Sequence, residues 1–214
     1  MPLFRDRTEA GRKLAEQLKD RRFDHDVVVL GLPRGGVPVA AEIAAVLNAP
    51  LDVFVVRKLG VPSQPELAMG AIATGDVRVL NDSVIDQLRI SPTAIERATE
   101  QELIELHRRE REYRDGRAQT ELGGRTVLLV DDGLATGATM RAAVRGVRTA
   151  APATVVVAIP VGAPDSGADV EELADELLCL HAPKRFGAVG AFYTAFPQTS
   201  DDEVRRLLAQ YHRA

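Results

Sequence analysis

Apolar residues gather in short β-branched runs at positions 27–30, 51–56, 77–80, 126–130, 154–159 and 177–180, each bounded by turn-forming residues. Runs of this length and composition predict strands. Between most of them, apolar side chains recur at helical spacing: Val39, Ile43, Val46 and Leu47, then Met140, Val144 and Val147, then Val170, Leu173 and Leu177. Strands that alternate with helices and are apolar on both faces predict an α/β fold, a central parallel sheet flanked by helices on both sides.

Three further helices are predicted around this core. One near the N-terminus carries Leu14 and Leu18. A charged helix starts at Ser91-Pro92, where serine caps and proline suits the first turn. The last opens at Ser200, with Glu203 completing a capping box, and buries Val204, Leu207 and Leu208. No repeat, low-complexity stretch or linker divides the chain, so one domain is expected over residues 1–214.

Composition narrows the function classes. The chain has 214 residues, 45% hydrophobic and 27% charged, enough for a substantial core. A net charge of −4 leaves no surplus of Lys and Arg to neutralise a nucleic-acid backbone, so no nucleic-acid partner is expected. Cys179 is the only cysteine, which excludes an intrachain disulfide and fits a reducing compartment. The N-terminal stretch mixes Arg5, Asp6, Arg7 and Glu9 before any apolar run, unlike a secretory signal, and the apolar run at 155–163 is too short to cross a membrane. A cytoplasmic protein with no membrane association is expected. His25, His107, His181 and His212 share no metal-ligand spacing, and no protein-held metal is predicted.

The chemistry is concentrated at residues 127–140, a buried strand that ends in Asp131-Asp132 and passes through Gly133-Leu134-Ala135-Thr136-Gly137-Ala138-Thr139 into a helix. In open α/β sheets such strand ends bind ligands. The small-residue turn leaves its amides and the positive helix end free to surround a phosphate, with the Thr136 and Thr139 hydroxyls as further donors. The turn lacks both the Gly-Lys-Ser/Thr ending of a triphosphate loop and the Gly-x-Gly-x-x-Gly of a dinucleotide loop. Two adjacent carboxylates can each accept from one hydroxyl of a ribose diol, and stabilise positive charge developing at C1 of the sugar. A diol clamp beside a phosphate cup describes a ribose 5-phosphate site.

The run Val130 to Thr139 closely resembles the signature with which type I phosphoribosyltransferases bind 5-phosphoribosyl-1-pyrophosphate (PRPP). The resemblance implies that family's fold, with a core at about 20–165, a hood flap at about 166–200, a terminal helix at 200–212 and an inserted helix. It implies transfer of phosphoribosyl from PRPP to a nitrogen nucleophile, with Mg2+ bound with PRPP and a small-molecule acceptor, and leaves a homodimer open. Gly31-Leu32-Pro33-Arg34-Gly35-Gly36 resembles the family's pyrophosphate loop, where backbone amides and a strained peptide bond grip the leaving group. Arg57 and Lys58 end a strand where the family commonly places a basic residue on pyrophosphate; capping the strand end is the simpler role. Residues 59–68 fall where the family carries a mobile loop, with Glu66 a candidate acid or base. Residues 182–193 resemble the hood, where Phe186, Phe192, Tyr193 or Phe196 either stack on a base or pack the hood against the last helix.

Two departures limit the transfer of substrate. Position 135 is Ala where the hypoxanthine-guanine branch has an Asp, and no acidic residue stands immediately before Tyr193, where that branch has one associated with magnesium. The arginines at 108, 109, 111, 114 and 117 interleave with Glu110 and Glu112 as helical ion pairs on a solvated face; the sharper reading takes Arg111 or Arg114 to a pyrophosphate. A non-catalytic PRPP- or nucleotide-sensing protein of the same fold is the alternative function.

Overall fold

The computed structural model describes residues 2–211. His212, expected to end the last helix, lies outside them. The chain runs α1 (Arg7–Leu18), β1 (Val27–Gly31), α2 (Gly36–Leu47), β2 (Leu51–Val53), β3 (Val56–Val61), β4 (Gln64–Ala73), β5 (Val77–Leu80), α3 (Asp82–Leu88), α4 (Pro92–Arg114), β6 (Thr126–Val130), α5 (Ala138–Arg148), β7 (Thr154–Val161), α6 (Pro164–Glu171), β8 (Glu176–His181) and α7 (Asp201–Tyr211).

Five strands form the expected parallel sheet in the order β2-β1-β6-β7-β8, which places β6 in the middle. Its two faces follow from period-2 alternation. Val29, Leu128, Val130, Val156 and Ala158 join the core beneath α1 and α2. Val28, Leu30, Val127, Leu129, Val155, Val157 and Ile159 join the core beneath α5. Every residue of β6 is buried, as a middle strand covered on both sides requires.

The structure corrects the sequence reading in four places. The run at 51–56 is two strands: β2 ends at Val53 in the main sheet, while β3 begins at Val56 in a second, antiparallel sheet β3-β4-β5. Residues 59–68, where a mobile loop is expected by resemblance, are paired as a β-hairpin with a bulge at Gly60. The run at 77–80 closes that small sheet, after a tight turn with Gly75 and Asp76 at φ 82° and 58°. Of the segment expected as a flap from 166, the part up to His181 belongs to the core, because the apolar residues of β8 pair with β7 in the main sheet and Val170 of α6 is fully buried against it.

Helix caps fall where the side chains predicted them. Ser91 accepts from Ala94 N at the start of α4, and Ser200 Oγ accepts from Glu203 N at the start of α7. The arginine run on α4 divides: Arg108 and Arg109 pair with Glu105, while Arg114 is buried, donating to Asp52 at 3.0 Å and to the Val53 carbonyl. Arg114 is therefore a structural cation clamping β2, and it is not available to a pyrophosphate. Cys179 is half-buried, its thiol pushed up by burial and donating to the His181 carbonyl. No helix among the described residues is long and apolar enough to cross a membrane.

Candidate functional site

The carboxyl end of β6 delivers Asp131 and Asp132 to the rim of the sheet beside the loop that follows β1. Leu32 N donates to the Val130 carbonyl at 2.9 Å, so the two connections are tied at their roots. The glycines at 35 and 36 are required by this approach: a Cβ on Gly36 would sit 2.5 Å from Val130 O, and one on Gly35 would overlap the Asp132 carboxylate, with Cγ at 2.7 Å. The Pro33–Arg34 peptide is cis. Arg34 approaches Asp201 of α7 at 3.7 Å, and Asp201 also accepts from the Tyr113 hydroxyl at 2.7 Å.

Within the acid pair the two carboxyls are in different situations. Asp131 Oδ1 accepts from the Asp132 amide at 2.8 Å. Asp132 Oδ2 accepts from Arg7 Nε at 2.7 Å, with both side chains largely shielded. Burial is the chief cause pushing both carboxyls above the usual range; for Asp131 the neighbouring Asp132 adds to the rise, and Arg7 opposes it at both. Neither Asp131 Oδ2 nor Asp132 Oδ1 accepts a hydrogen bond among the described residues. Each carboxylate thus presents one free acceptor.

A short step along the chain, the turn into α5 opens as an anion cup. Gly137 takes the left-handed φ of 72° that lets the backbone enter the helix without a side-chain cap. The turn is pinned from outside: Ser166 Oγ donates to the Ala135 carbonyl at 2.6 Å, and Arg141 donates to the Thr136 carbonyl at 3.0 Å. The amides of Ala135, Thr136 and Gly137 donate to no group among the described residues, and Ala135, Thr136, Ala138 and Thr139 are exposed. Unpaired helix-start donors beside a positive dipole end are suited to a phosphate.

The other residues singled out by sequence divide. Lys58 of β3 lines a cavity of about 430 Å³ together with Ala138 and Thr139, and its ammonium meets the Glu66 carbonyl at 3.1 Å and carboxylate at 3.4 Å. The Glu66 side chain is fully exposed on the hairpin, with Lys58 its partner. Arg57 leaves the strand on the other face, because adjacent strand residues alternate; it pairs with Glu102 of α4 at 2.6 Å, and together with Lys58 it lines a second cavity of about 600 Å³.

The hood aromatics also divide. Phe186 and Phe192 form a half-buried pair with ring centres 5.2 Å apart. Tyr193 is buried between Phe4 and Phe196, 5% exposed, and its hydroxyl donates to the Asp132 carbonyl at 2.6 Å. Its place in the core leaves no ring face for a base, so it supports the acid pair instead. Sequence reasoning missed Arg7, Tyr113, Ser166 and Asp201. None has a local signal, since Arg7 and Asp132 lie 125 residues apart.

With this geometry in place, the likeness to known proteins is informative. The family model for a phosphoribosyl transferase domain matches residues 5–194. A Mycobacterium tuberculosis protein provisionally named a phosphoribosyl transferase is 52% identical over 213 residues, covering 100% of this chain and 48% of its own length. The chain therefore spans about half the length of the curated relatives it matches. The crystal structure of TT1426 from Thermus thermophilus is 41% identical, covers 100% of both chains and superposes with a TM-score of 0.86. AQ2163 from Aquifex aeolicus, at 16% identity, TM-score 0.50 and coverage of 86% and 78%, shares the fold alone.

Proposed function

Because the chain belongs to the phosphoribosyl transferase domain family, we propose that it transfers the 5-phosphoribosyl group of PRPP to a nitrogen nucleophile, releasing pyrophosphate. The observation that carries this reading is the convergence of three elements on one rim: the Asp131–Asp132 pair, the Gly35–Gly36 loop pressed against it, and the unpaired amides at 135–137. The amides, with the Thr136 and Thr139 hydroxyls, receive the 5′-phosphate. The two free carboxylate oxygens accept from the ribose hydroxyls, and the acid pair, ionised by that contact, stabilises positive charge on C1 as its bond to pyrophosphate breaks. The leaving oxygen takes the bonding electrons, the nucleophile's lone pair forms the new C–N bond, and the proton on that nitrogen passes to the departing pyrophosphate. Arg34 and the loop at 34–36 receive the pyrophosphate, with Lys58 approaching from the hairpin. The acceptor meets the hood at Phe186 and Phe192.

Magnesium is expected to enter with PRPP and not on a protein-held site. No group of three or more His, Cys, Asp or Glu is arranged to hold an ion among the described residues. Such an ion would be held through the phosphate oxygens of PRPP, as magnesium commonly is. When bound, it neutralises charge on the departing pyrophosphate.

A screen of pyrophosphate release with PRPP, magnesium and a panel of nucleobases tests the reading. Turnover with one base is expected. Binding of PRPP without turnover on any nitrogen acceptor would replace transfer by ligand sensing, and no binding of PRPP would remove the reading altogether.

A further inference from the structure

The guanidinium of Arg7 is held by three groups from distant parts of the chain. Nε donates to Asp132 Oδ2 at 2.7 Å, Nη1 donates to the Pro197 carbonyl at 2.6 Å, and the guanidinium carbon lies 3.7 Å above the centre of the Phe196 ring. Its backbone is equally constrained. Arg7 opens α1, whose start is capped by Asp6 accepting from Glu9 N. The residues before it are strapped to the hood, with Leu3 N and Phe4 N donating to Phe192 O and Thr194 N to Phe4 O. Gly35 packs beneath the bridge, where a Cβ would come within 3.3 Å of Arg7 Nε.

Only one oxygen of the Asp132 carboxylate is occupied by this arrangement. Oδ2 belongs to Arg7, while the Asp132 carbonyl is held by the Tyr193 hydroxyl. The residue is thus fixed at both its backbone and one side-chain oxygen, and Oδ1 remains. A carboxylate free to rotate presents two equivalent oxygens and gives up that freedom when it binds; one already locked binds a hydroxyl without that loss. With three anchors and a side chain only 11% exposed, Arg7 is a fixture of the site. Displacement by the sugar would leave a buried guanidinium with its charge unpaired.

We propose that Arg7 is a positioning residue that locks Asp132 Oδ2, leaves Oδ1 as the acceptor for one ribose hydroxyl, and so sets the preference of this site for ribose over deoxyribose. The inference rests on the ribose 5-phosphate reading and deepens it. The phosphate cup at 135–139 shares no hydrogen bond with Arg7, so the two contributions to sugar binding are separable.

Calorimetric titration of ribose 5-phosphate, 2-deoxyribose 5-phosphate and 3-deoxyribose 5-phosphate into the wild type, Asp132→Ala, Arg7→Gln and Arg7→Lys tests it. Asp132→Ala, which leaves no side-chain acceptor or donor at this position, identifies which deoxy sugar reports on Asp132, as the one whose disadvantage disappears. Arg7→Gln is expected to erode that same preference by about tenfold while affinity for the matching deoxy sugar changes by less than about twofold. Arg7→Lys, which keeps charge and a donor, restores part of it. An equal loss for all three sugars, with their ratios unchanged, would show Arg7 to be merely structural and overturn the proposal. Should Arg7→Gln fail to fold, Arg7→Lys decides: a reduced preference supports the proposal and a wild-type ratio overturns it. If the wild type binds none of the phosphosugars, or Asp132→Ala leaves every ratio intact, the ribose 5-phosphate reading fails first and the role of Arg7 falls with it.

Discussion

Replacing Gly137 with Ala separates the phosphate cup from an ordinary helix start, provided it is read beside a matched control. Gly137 has φ 72° and Gly124 has φ 68°, so an alanine at either position carries the same left-handed backbone cost, roughly 1–2 kcal/mol. Gly124 has nothing within 4 Å of an added Cβ and lies before β6, at the opposite end of that strand from Asp131. At Gly137 the Cβ would meet Arg141 Nη1 at 2.9 Å, and that guanidinium is tied to the Thr136 carbonyl and to Asp169. For a chain of this size, 1–2 kcal/mol corresponds to a loss of about 2–8 °C in Tm, expected for both variants by thermal unfolding. Their affinities should then diverge. The three unpaired amides at 135–137 would each make a charge-assisted hydrogen bond of about 1.5–3 kcal/mol to the 5′-phosphate, so misaligning one weakens ribose 5-phosphate by roughly tenfold to a hundredfold. Calorimetry should show Gly124→Ala binding as the wild type does and Gly137→Ala binding at least about tenfold more weakly. Equal affinities in two folded variants would mean that the phosphate sits elsewhere.

Asp131→Asn should abolish pyrophosphate release yet stabilise the free protein. Because the folded carboxyl is raised above its unfolded value, ionisation is penalised in the folded state; the penalty is absent below about pH 4, grows as pH rises toward the folded pKa, and is removed by the amide. The Tm advantage of the variant should therefore widen on going from acid to neutral pH, and an advantage that stays flat would contradict the raised carboxyl. Tyr193→Phe keeps the packing against Phe4 and Phe196 but removes the donor to the Asp132 carbonyl, for an expected loss of about 0.5–1.5 kcal/mol in denaturant unfolding. Asp52→Ala leaves the buried Arg114 with Glu110, at 3.4 Å, as its remaining carboxylate and removes the acceptor of Thr120 N, which should cost about 1–3 kcal/mol by the same measurement; a loss below about 0.5 kcal/mol would remove the Asp52–Arg114 pair from the framework.

The sequence by itself determined the elements whose periodicity is strong. Short doubly apolar β-branched runs such as residues 126–130 read as buried strands, and Ser91 and Ser200 mark helix starts by local chemistry that needs no tertiary partner. The adjacency of the acid pair and the small-residue turn was legible for the same reason, being contiguous in the chain at the end of a buried strand. Tertiary structure decided whatever depended on distance. A run such as 51–56 carries no mark of the sheet each half will join, and β8 reads as flap or core according to whether β7 has a free edge for it. Arg57 and Lys58 look equivalent in sequence, and only the pleat sends one to Glu102 and the other toward the cup. Tyr193 and Phe192 differ by one position, and packing alone makes the first a support beneath Asp132 and leaves the second at the hood surface. Arg7 is the clearest case, an ordinary cation in a mixed-charge N-terminus until the fold carries it across 125 residues to Asp132. Periodicity encodes what a segment buries; which partner it meets is set when the layers close.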